Sequence, residues 1–298
     1  MADPLALPFF SRVALGADYG ARLERFTAVV GAELARREGG GRSALDGHGL
    51  EFTGHRPYRA GDDPRSIDWS VTARSDRPFV RLSRRDARER WRIAVDTSAS
   101  MGVGPPGKLQ RAAEVAGAFV LLGVRRGAEV ELAARGRPLA RFHRRVSGTL
   151  ARLVTELEAW TTDAPGASGP RSDGAAGAFD PGGALRGVAR FVWLGDPFAS
   201  APRAFFEACE RVPARHVLHL CAPHELVAPA AGAIEWRDAE SERALAIALD
   251  AGARGAYARE LEARIADWSD AARRHGARHA CASSARPFED LARAALGA

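Results

Sequence analysis

"WRIAVDTSASMGVG", residues 91–104, decides how the fold is read. "WRIAV" (91–95) has the run of apolar residues of a buried strand. It ends abruptly on Asp96, Ser98 and Ser100, with Met101 and Gly102 behind them. After "GPPG", the stretch "KLQRAAEVAGAFVLLGVRR" (108–126) places apolar residues at helical spacing. A buried strand, a loop of small oxygen-bearing side chains and a long helix make the opening of a βα unit.

The rest of the chain repeats that rhythm. "AEVELAAR" and "RPLARFHRR" read as two strands joined by a turn at Gly136. "SGTLARLVTELEAW" (147–160) reads as a helix with Ser147 as its cap. A Gly/Ser/Asp-rich linker covers 161–178, and a short helix, "GGALRGVAR", leads to the strand "RFVWLGD" (190–196). A helix at 201–212, a strand at 215–223, a β-hairpin at 232–249, a helix at 254–276, the strand "ARHACAS" and a helix from Pro287 follow. Strands alternating with helices predict a Rossmann-like, doubly wound, mostly parallel α/β sheet. Upstream, Leu23, Phe26, Val29, Val30 and Leu34 predict an amphipathic helix over 18–38, then a glycine-rich break at 39–49 and a charged, aromatic mixed segment at 50–82. The expected division is residues 1–87, helix plus mixed α/β module, and residues 88–298, the sheet domain.

Composition narrows the function classes. The 298 residues carry 43 Lys and Arg against 37 Asp and Glu, a net charge of +6, yet Lys108 is the only lysine. The densest basic run, "RLSRRDARERWR" (81–92), is broken by Asp86 and Glu89, so it reads either as a solvated face or as a surface for an acidic partner. Cys209, Cys221 and Cys281 fit neither a disulfide framework nor a CxxC metal pattern. "MADPLALPFF" lacks the basic leader of a signal peptide. "AGAFVLLGV" (116–124), the longest apolar stretch, is too short to span a bilayer. A cytoplasmic protein with no membrane span is expected.

In an open α/β sheet, ligands bind at the carboxyl ends of the strands where the strand order reverses. Asp96, Ser98 and Ser100 sit at such an end and can aim their oxygens at one point. A carboxylate with two hydroxyls suits Mg²⁺ or Mn²⁺, hard cations that prefer oxygen; a turn and helix cap is the alternative. "WLGDPF" puts Asp196 at the end of a second central strand, where it could bond a metal-held water. The arrangement resembles the metal-ion-dependent adhesion site of von Willebrand factor A domains. That resemblance implies Asp-x-Ser-x-Ser, a threonine from a second loop and an aspartate from a third. "FDPGGAL" (179–185) puts Phe179 where the threonine is expected, with Asp180 as a possible substitute.

"GLEFTGHRPYRAGDDPRSIDWSVTARSDRPFVRL" (49–82) makes the resemblance specific. Glu51-Phe52, Arg56 and Tyr58, Gly61-Asp62-Asp63 and Arg65, Ile67-Asp68-Trp69 and Ala73-Arg74 are similar to the signature of the family catalogued as domain of unknown function 58. The likeness runs from about residue 40 to the end and includes "HEL" (224–226), Tyr257 and Trp268. It implies a von Willebrand factor A-like fold and a partner of the MoxR-type AAA+ ATPase class, with this chain, or its cation, binding the ATPase or its client. A non-enzymatic adaptor that binds such an ATPase or its client, with any ATP hydrolysis left to the partner, is the expected function.

Other motifs read less sharply. The acids and arginines at 51–74 could be catalytic, but they show no nucleophile–base spacing, and an ion-paired module with Trp69 and Phe52 buried is the expectation. Alternation separates His216 from His219, which argues against zinc. "GVGPPGK" is no Walker motif, since Leu109 replaces the magnesium-holding hydroxyl. Two rivals to an adaptor remain. A metal-dependent hydrolase on Asp96, Asp196 and the 62–68 acids would lose activity to a chelator. An arginine-rich nucleic-acid binder would lose affinity steeply with salt.

Overall fold

The computed structural model describes residues 11–37, 51–58, 67–75, 77–84, 89–134, 137–144, 148–163, 185–198, 201–241 and 243–297, the side chains at 51–54 and 81–84 excepted. In chain order the elements begin with α1 (Tyr19–Arg37), β1 (Glu51–Pro57), α2 (Trp69–Thr72), β2 (Phe79–Arg84), β3 (Arg90–Val95), α3 (Lys108–Arg125), β4 (Glu129–Ala134), β5 (Ala140–Phe142) and α4 (Thr149–Glu158). They continue with β6 (Arg190–Gly195), α5 (Pro202–Ala208), β7 (Ala214–Cys221), β8 (Gly232–Arg237), β9 (Ala244–Leu249), α6 (Ala251–Arg274), β10 (Arg278–Ser283) and α7 (Phe288–Leu296).

Two compact units result, one from residues up to 39 together with 89 onward, the other from residues 40–88. The small unit ends at residue 88, one residue past the expected division, but it begins at 40, so α1 does not travel with it. Leu23, Phe26 and Val30 are buried in the core around α3, because the apolar stripe of α1 needs a large apolar surface and α3 supplies one.

The larger unit is built on a six-stranded sheet of order β10-β7-β6-β3-β4-β5. Its strands pair in parallel except β5, which runs antiparallel to β4 at one edge. Alternation sorts the side chains. Ile93, Val95, Val192, Leu194 and Leu218 face α3, α7 and α1, while Ala94, Phe191, Trp193 and Val217 face α5 and α6 through Phe205, Phe206 and Trp268. Both faces are covered, so the central strands are nearly all apolar. Among them Arg92 and Glu131, register partners on β3 and β4, form a buried pair at 2.7 Å.

Helix α3 is buried all round, which explains its apolar sequence. Gly123 lets it approach the sheet, since a Cβ there would lie 2.7 Å from Val130. Two local expectations fail. Residues 185–189 form turns and bends rather than a helix, Gly187 adopting a left-handed φ of 74° that ends any helical run. The residue before α4 is Gly148, at φ 72°, and it offers no side-chain cap; Ser147 lies outside the described residues.

The smaller unit contains the antiparallel pair β1–β2, with a register shift between Phe52 and Gly54. Ile67 bridges Val80, and the single turn of α2 follows.

Candidate functional site

Strand order reverses between β3 and β6. The chain leaves β3 through α3 to β4 on one side and later returns to β6 on the other. Loops diverge at such a point and leave a crevice at the carboxyl ends. Asp96 and Asp196 are the first residues past these two strands. The N–H of Asp96 still donates to Leu194 C=O at 2.9 Å, so the carboxylate starts from a fixed backbone.

Asp96 Oδ1 accepts the N–H of Ser98 at 2.9 Å. Its Oδ2 is buried with no hydrogen-bond partner among the described residues. The hydroxyls of Ser98 and Ser100 lie 3.1 Å apart. The sequence therefore brings together the three residues it promised. A fourth arrives unannounced. Glu240, between β8 and β9, is buried, and its Oε1 accepts the N–H of Ser100 at 2.9 Å.

Asp196 is committed differently. Its Oδ2 accepts Lys108 Nζ at 2.5 Å, and its Oδ1 accepts the N–H of Phe198 at 2.7 Å. Lys108, the first residue of α3, is fully buried and also donates to Glu225 Oε1 at 2.8 Å. Glu225 Oε2 in turn accepts the N–H of Ala222 at 2.6 Å, and Tyr257 donates to the Glu225 carbonyl at 2.5 Å. Residues 161–163 also reach this end, where Asp163 N–H donates to Thr97 C=O at 2.7 Å. Phe179 and Asp180, the residues expected there, lie outside the described residues.

Two carboxylates, Asp196 and Glu225, thus share one ammonium, while Asp96 and Glu240 accept backbone N–H groups. Burial pushes the Asp96 carboxyl up to about 6; the Ser98 N–H and hydroxyl work against that, while Asp196 and Glu240 add to it. Burial opposes charge on Lys108, yet Asp196 and Glu225 outweigh it and hold the ammonium above its ordinary pKa. Asp96 Oδ2 and the two serine hydroxyls are hard oxygen donors of the kind Mg²⁺ or Mn²⁺ takes. Among the described residues, however, no three carboxylate, imidazole or thiol side chains form a metal-holding group by themselves. A cation here would lean on hydroxyls, with Lys108 already neutralising Asp196.

A model of the family described as "Protein of unknown function DUF58" matches residues 54–267. The chain belongs to the DUF58 family. It is also 30% identical over 238 residues to uncharacterized proteins of Mycobacterium bovis and Mycobacterium tuberculosis, covering 75% of this chain and 71% of theirs. Among solved structures it is similar to BatB of Bacteroides thetaiotaomicron (TM-score 0.33, 16% identity, 70% of this chain and 98% of that one). An aerotolerance-related membrane protein of Bacteroides fragilis matches with TM-score 0.34, 16% identity, 70% of this chain and 97% of that one. No helix among the described residues is long and apolar enough to cross a membrane.

The residues at 51–74 that resemble a family signature belong to the smaller unit. Asp68 caps α2, its Oδ1 accepting from the N–H groups of Ser70 and Val71 and from the Ser70 hydroxyl, with His55 Nε2 2.9 Å from Oδ2. The bonds from Ser70 and His55 hold its carboxyl well below the usual range. Arg74 Nε donates to Ser70 C=O at 3.1 Å and Arg56 to Pro57 C=O at 3.2 Å. Tyr58 N–H donates to Pro78 C=O at 2.8 Å. Glu51 opens β1, and Asp62, Asp63 and Arg65 lie outside the described residues. One expectation is overturned. Trp69 is 69% exposed, at the start of a single helical turn that has no buried residue.

Sequence reasoning missed Lys108, Glu225 and Glu240 as a group. A lone lysine at a helix start, in a chain that otherwise uses arginine, was the available signal for the first. "HEL" marked the second without giving its role. Nothing in "RDAESER" marks Glu240, whose placement depends on where a hairpin folds back.

Proposed function

We propose that this protein is a non-enzymatic adaptor that grips an acidic side chain of a protein partner at the carboxyl end of its sheet. The observation that carries the reading is Glu240. A carboxylate of the chain itself already rests on the Ser100 N–H, 2.9 Å away, so the crevice is shaped to take one. In this reading Glu240 holds the position in cis that a partner's Asp or Glu takes in the complex.

The finer fold reading belongs with it: a von Willebrand factor A-like domain whose adhesion-type site is partly degenerate. Where Mg²⁺ or Mn²⁺ binds, Asp96, Ser98 and Ser100 would hold it, and the cation would supply a positive point for the incoming carboxylate. Asp196 and Glu225 then act through Lys108, fixing the loop ends around the crevice. Neither serine hydroxyl bonds a histidine among the described residues, which favours gripping over nucleophilic chemistry. Exposed apolar side chains follow two of the acids closely in sequence: Phe198 after Asp196 and Val227 after Glu225. Trp236 and Leu245 face each other across the hairpin that carries Glu240. Apolar surface of this kind marks protein-binding regions.

The partner class we propose is a MoxR-type AAA+ ATPase or its client. Crosslinked pull-down from the source cell, in Mg²⁺ and nucleotide, should recover such an ATPase with the wild-type protein and less of it with Asp96→Ala. Recovery of no AAA+ protein would sink the adaptor reading. Recovery unaffected by both Asp96→Ala and a chelator would move the interface away from this crevice.

A further inference from the structure

Cys221 and Cys281 are 60 residues apart in sequence and meet at the carboxyl end of the sheet. The parallel register of β7 and β10 sets Ser283 beside Cys221 and His219 beside Cys281, so the two cysteines are diagonal neighbours on one face. Their Sγ atoms lie 3.6 Å apart. That is thiol hydrogen-bond range, about 1.5 Å longer than a disulfide bond. Cys221, the last residue of β7, is buried, whereas Cys281 is partly exposed, and both are free thiols. Cys209, the third cysteine, is buried at the end of α5 with its Sγ 3.8 Å from the Phe206 carbonyl.

The paired thiols are unequal. With Cys221 as donor, the hydrogen bond between them holds the Cys281 thiol below its ordinary pKa and pushes the Cys221 thiol up. Burial adds to the rise at Cys221. Since the thiolate is the reacting form, the sulfur nearer solvent is also the one disposed to react. Cys209 has neither advantage, because burial pushes its thiol up to about 11. Cys221 also stands at a sensitive point. Its C=O accepts the Ser284 N–H at 2.8 Å, and the next residue, Ala222, donates its N–H to Glu225 Oε2 at 2.6 Å. Glu225 is the acid that shares Lys108 with Asp196.

We propose that Cys281 and Cys221 form a peroxide-sensitive dithiol whose closure to a disulfide displaces the end of β7 that supports the crevice. The Cys281 thiolate attacks hydrogen peroxide, an S–O bond forming as the O–O bond breaks. The proton that Cys281 gave up goes to the departing hydroxide, making water. Cys221 then attacks the Cys281 sulfenic acid: the S–S bond forms, the S–O bond breaks, and the released hydroxide takes the Cys221 proton as a second water. Two thiols thus give two electrons and two protons to one peroxide, and a small dithiol reverses the bond by exchange. Closing the gap between the sulfurs draws the two strand ends together, whatever the crevice grips.

The full-length protein, reduced and then freed of reductant, is treated with hydrogen peroxide and followed by mass spectrometry and by thiol titration in denaturant. A mass loss of two hydrogens is expected, with a fall from three titratable thiols to one, a crosslink joining residues 221 and 281, and full reversal by dithiothreitol. Cys221→Ser, or Cys221→Ala where the serine variant does not fold, should leave a Cys281 sulfenic acid that dimedone traps. Cys281→Ser should react with peroxide about tenfold more slowly than wild type, and Cys209→Ser at the wild-type rate. Amide hydrogen exchange at Ala222 should be several-fold faster in the oxidised protein than in the reduced one. The proposal is overturned if peroxide leaves all three thiols intact or links a different pair. It is overturned equally if Cys281→Ser reacts as fast as wild type, or if exchange at Ala222 is the same in both forms.

Discussion

The crevice at the end of β3 and the small module of residues 40–88 are the two places where the sequence is most specific, and they are held in different ways. At the crevice, Asp96, Asp196 and Lys108 are buried, and each is tied to another segment of the chain. In the module, Asp68 bonds Ser70 and the His55 of β1, Arg74 bonds Ser70, all within a short stretch of chain and partly exposed, and Trp69 is 69% exposed. A motif can be distinctive because burial and charge constrain it, or because something outside must recognise it. Stability separates the two cases, since a buried ion network is felt by the whole fold and an exposed side chain is not.

Lys108 should show the largest effect. Lys108→Met leaves Asp196 and Glu225 without their ammonium, and breaking a buried pair by removing one partner costs about 3–5 kcal/mol. A melting temperature lower by about ten degrees is expected by calorimetry. A variant as stable as wild type would mean that the acids already find another cation, and the contrast with the module would weaken.

Asp96 follows, with an effect of opposite sign. An acid whose folded pKa is raised binds more protons folded than unfolded, so its contribution is full at low pH and is lost as pH rises. For Asp96 the window runs from its ordinary 3.8 to about 6. Ionising it there costs about 3 kcal/mol. Asp96→Asn keeps an acceptor for the Ser98 N–H and removes the charge. It should melt several degrees above wild type at pH 8 and level with it near pH 4, while losing any Mn²⁺ binding seen by calorimetry. Parallel pH profiles for the two proteins would contradict the buried, unpartnered Oδ2.

Glu240 comes third. Glu240→Ala removes one charge-accepting hydrogen bond, worth about 1.5–3 kcal/mol when both groups are buried, partly offset here by relief from Asp96. The sharper reading is local: amide hydrogen exchange at Ser100 and along 238–241 should speed up several-fold while the strands of the sheet stay protected. Unchanged exchange at Ser100 would mean that the hairpin does not restrain the loop.

These effects also mark where the sequence was legible. The strands and helices from 91 onward follow from period, because a sheet covered on both faces demands apolar runs and its helices demand stripes. Asp96, Ser98 and Ser100 were readable because they are consecutive with the strand that aims them. Lys108 and Glu225 are 117 residues apart, and Glu240 reaches Ser100 across 140; only the closed sheet and a returning hairpin bring them together. The helix 19–37 was read correctly but assigned to the wrong neighbour, since an apolar stripe does not name what it packs against.

Trp69 should give the smallest change in stability, and for that reason the most decisive contrast. A tryptophan closed into a core would cost about 3–5 kcal/mol on truncation to Ala. One that is 69% exposed at the start of a four-residue helix removes little buried area when cut back. Trp69→Ala should therefore stay within about 0.5 kcal/mol of wild type. Asp68, which caps that helix through the Ser70 and Val71 N–H groups, should matter more than Trp69 although it is the smaller side chain, so Asp68→Ala should lower the melting temperature measurably. If a signature residue carries no stability, its place in the family pattern asks for another use, and a large exposed aromatic is a common anchor at protein interfaces. The pull-down with Trp69→Ala then separates the cases. Normal melting with loss of the recovered partner makes the module a docking surface. A drop of five degrees or more would put Trp69 under cover and return the module to a structural role.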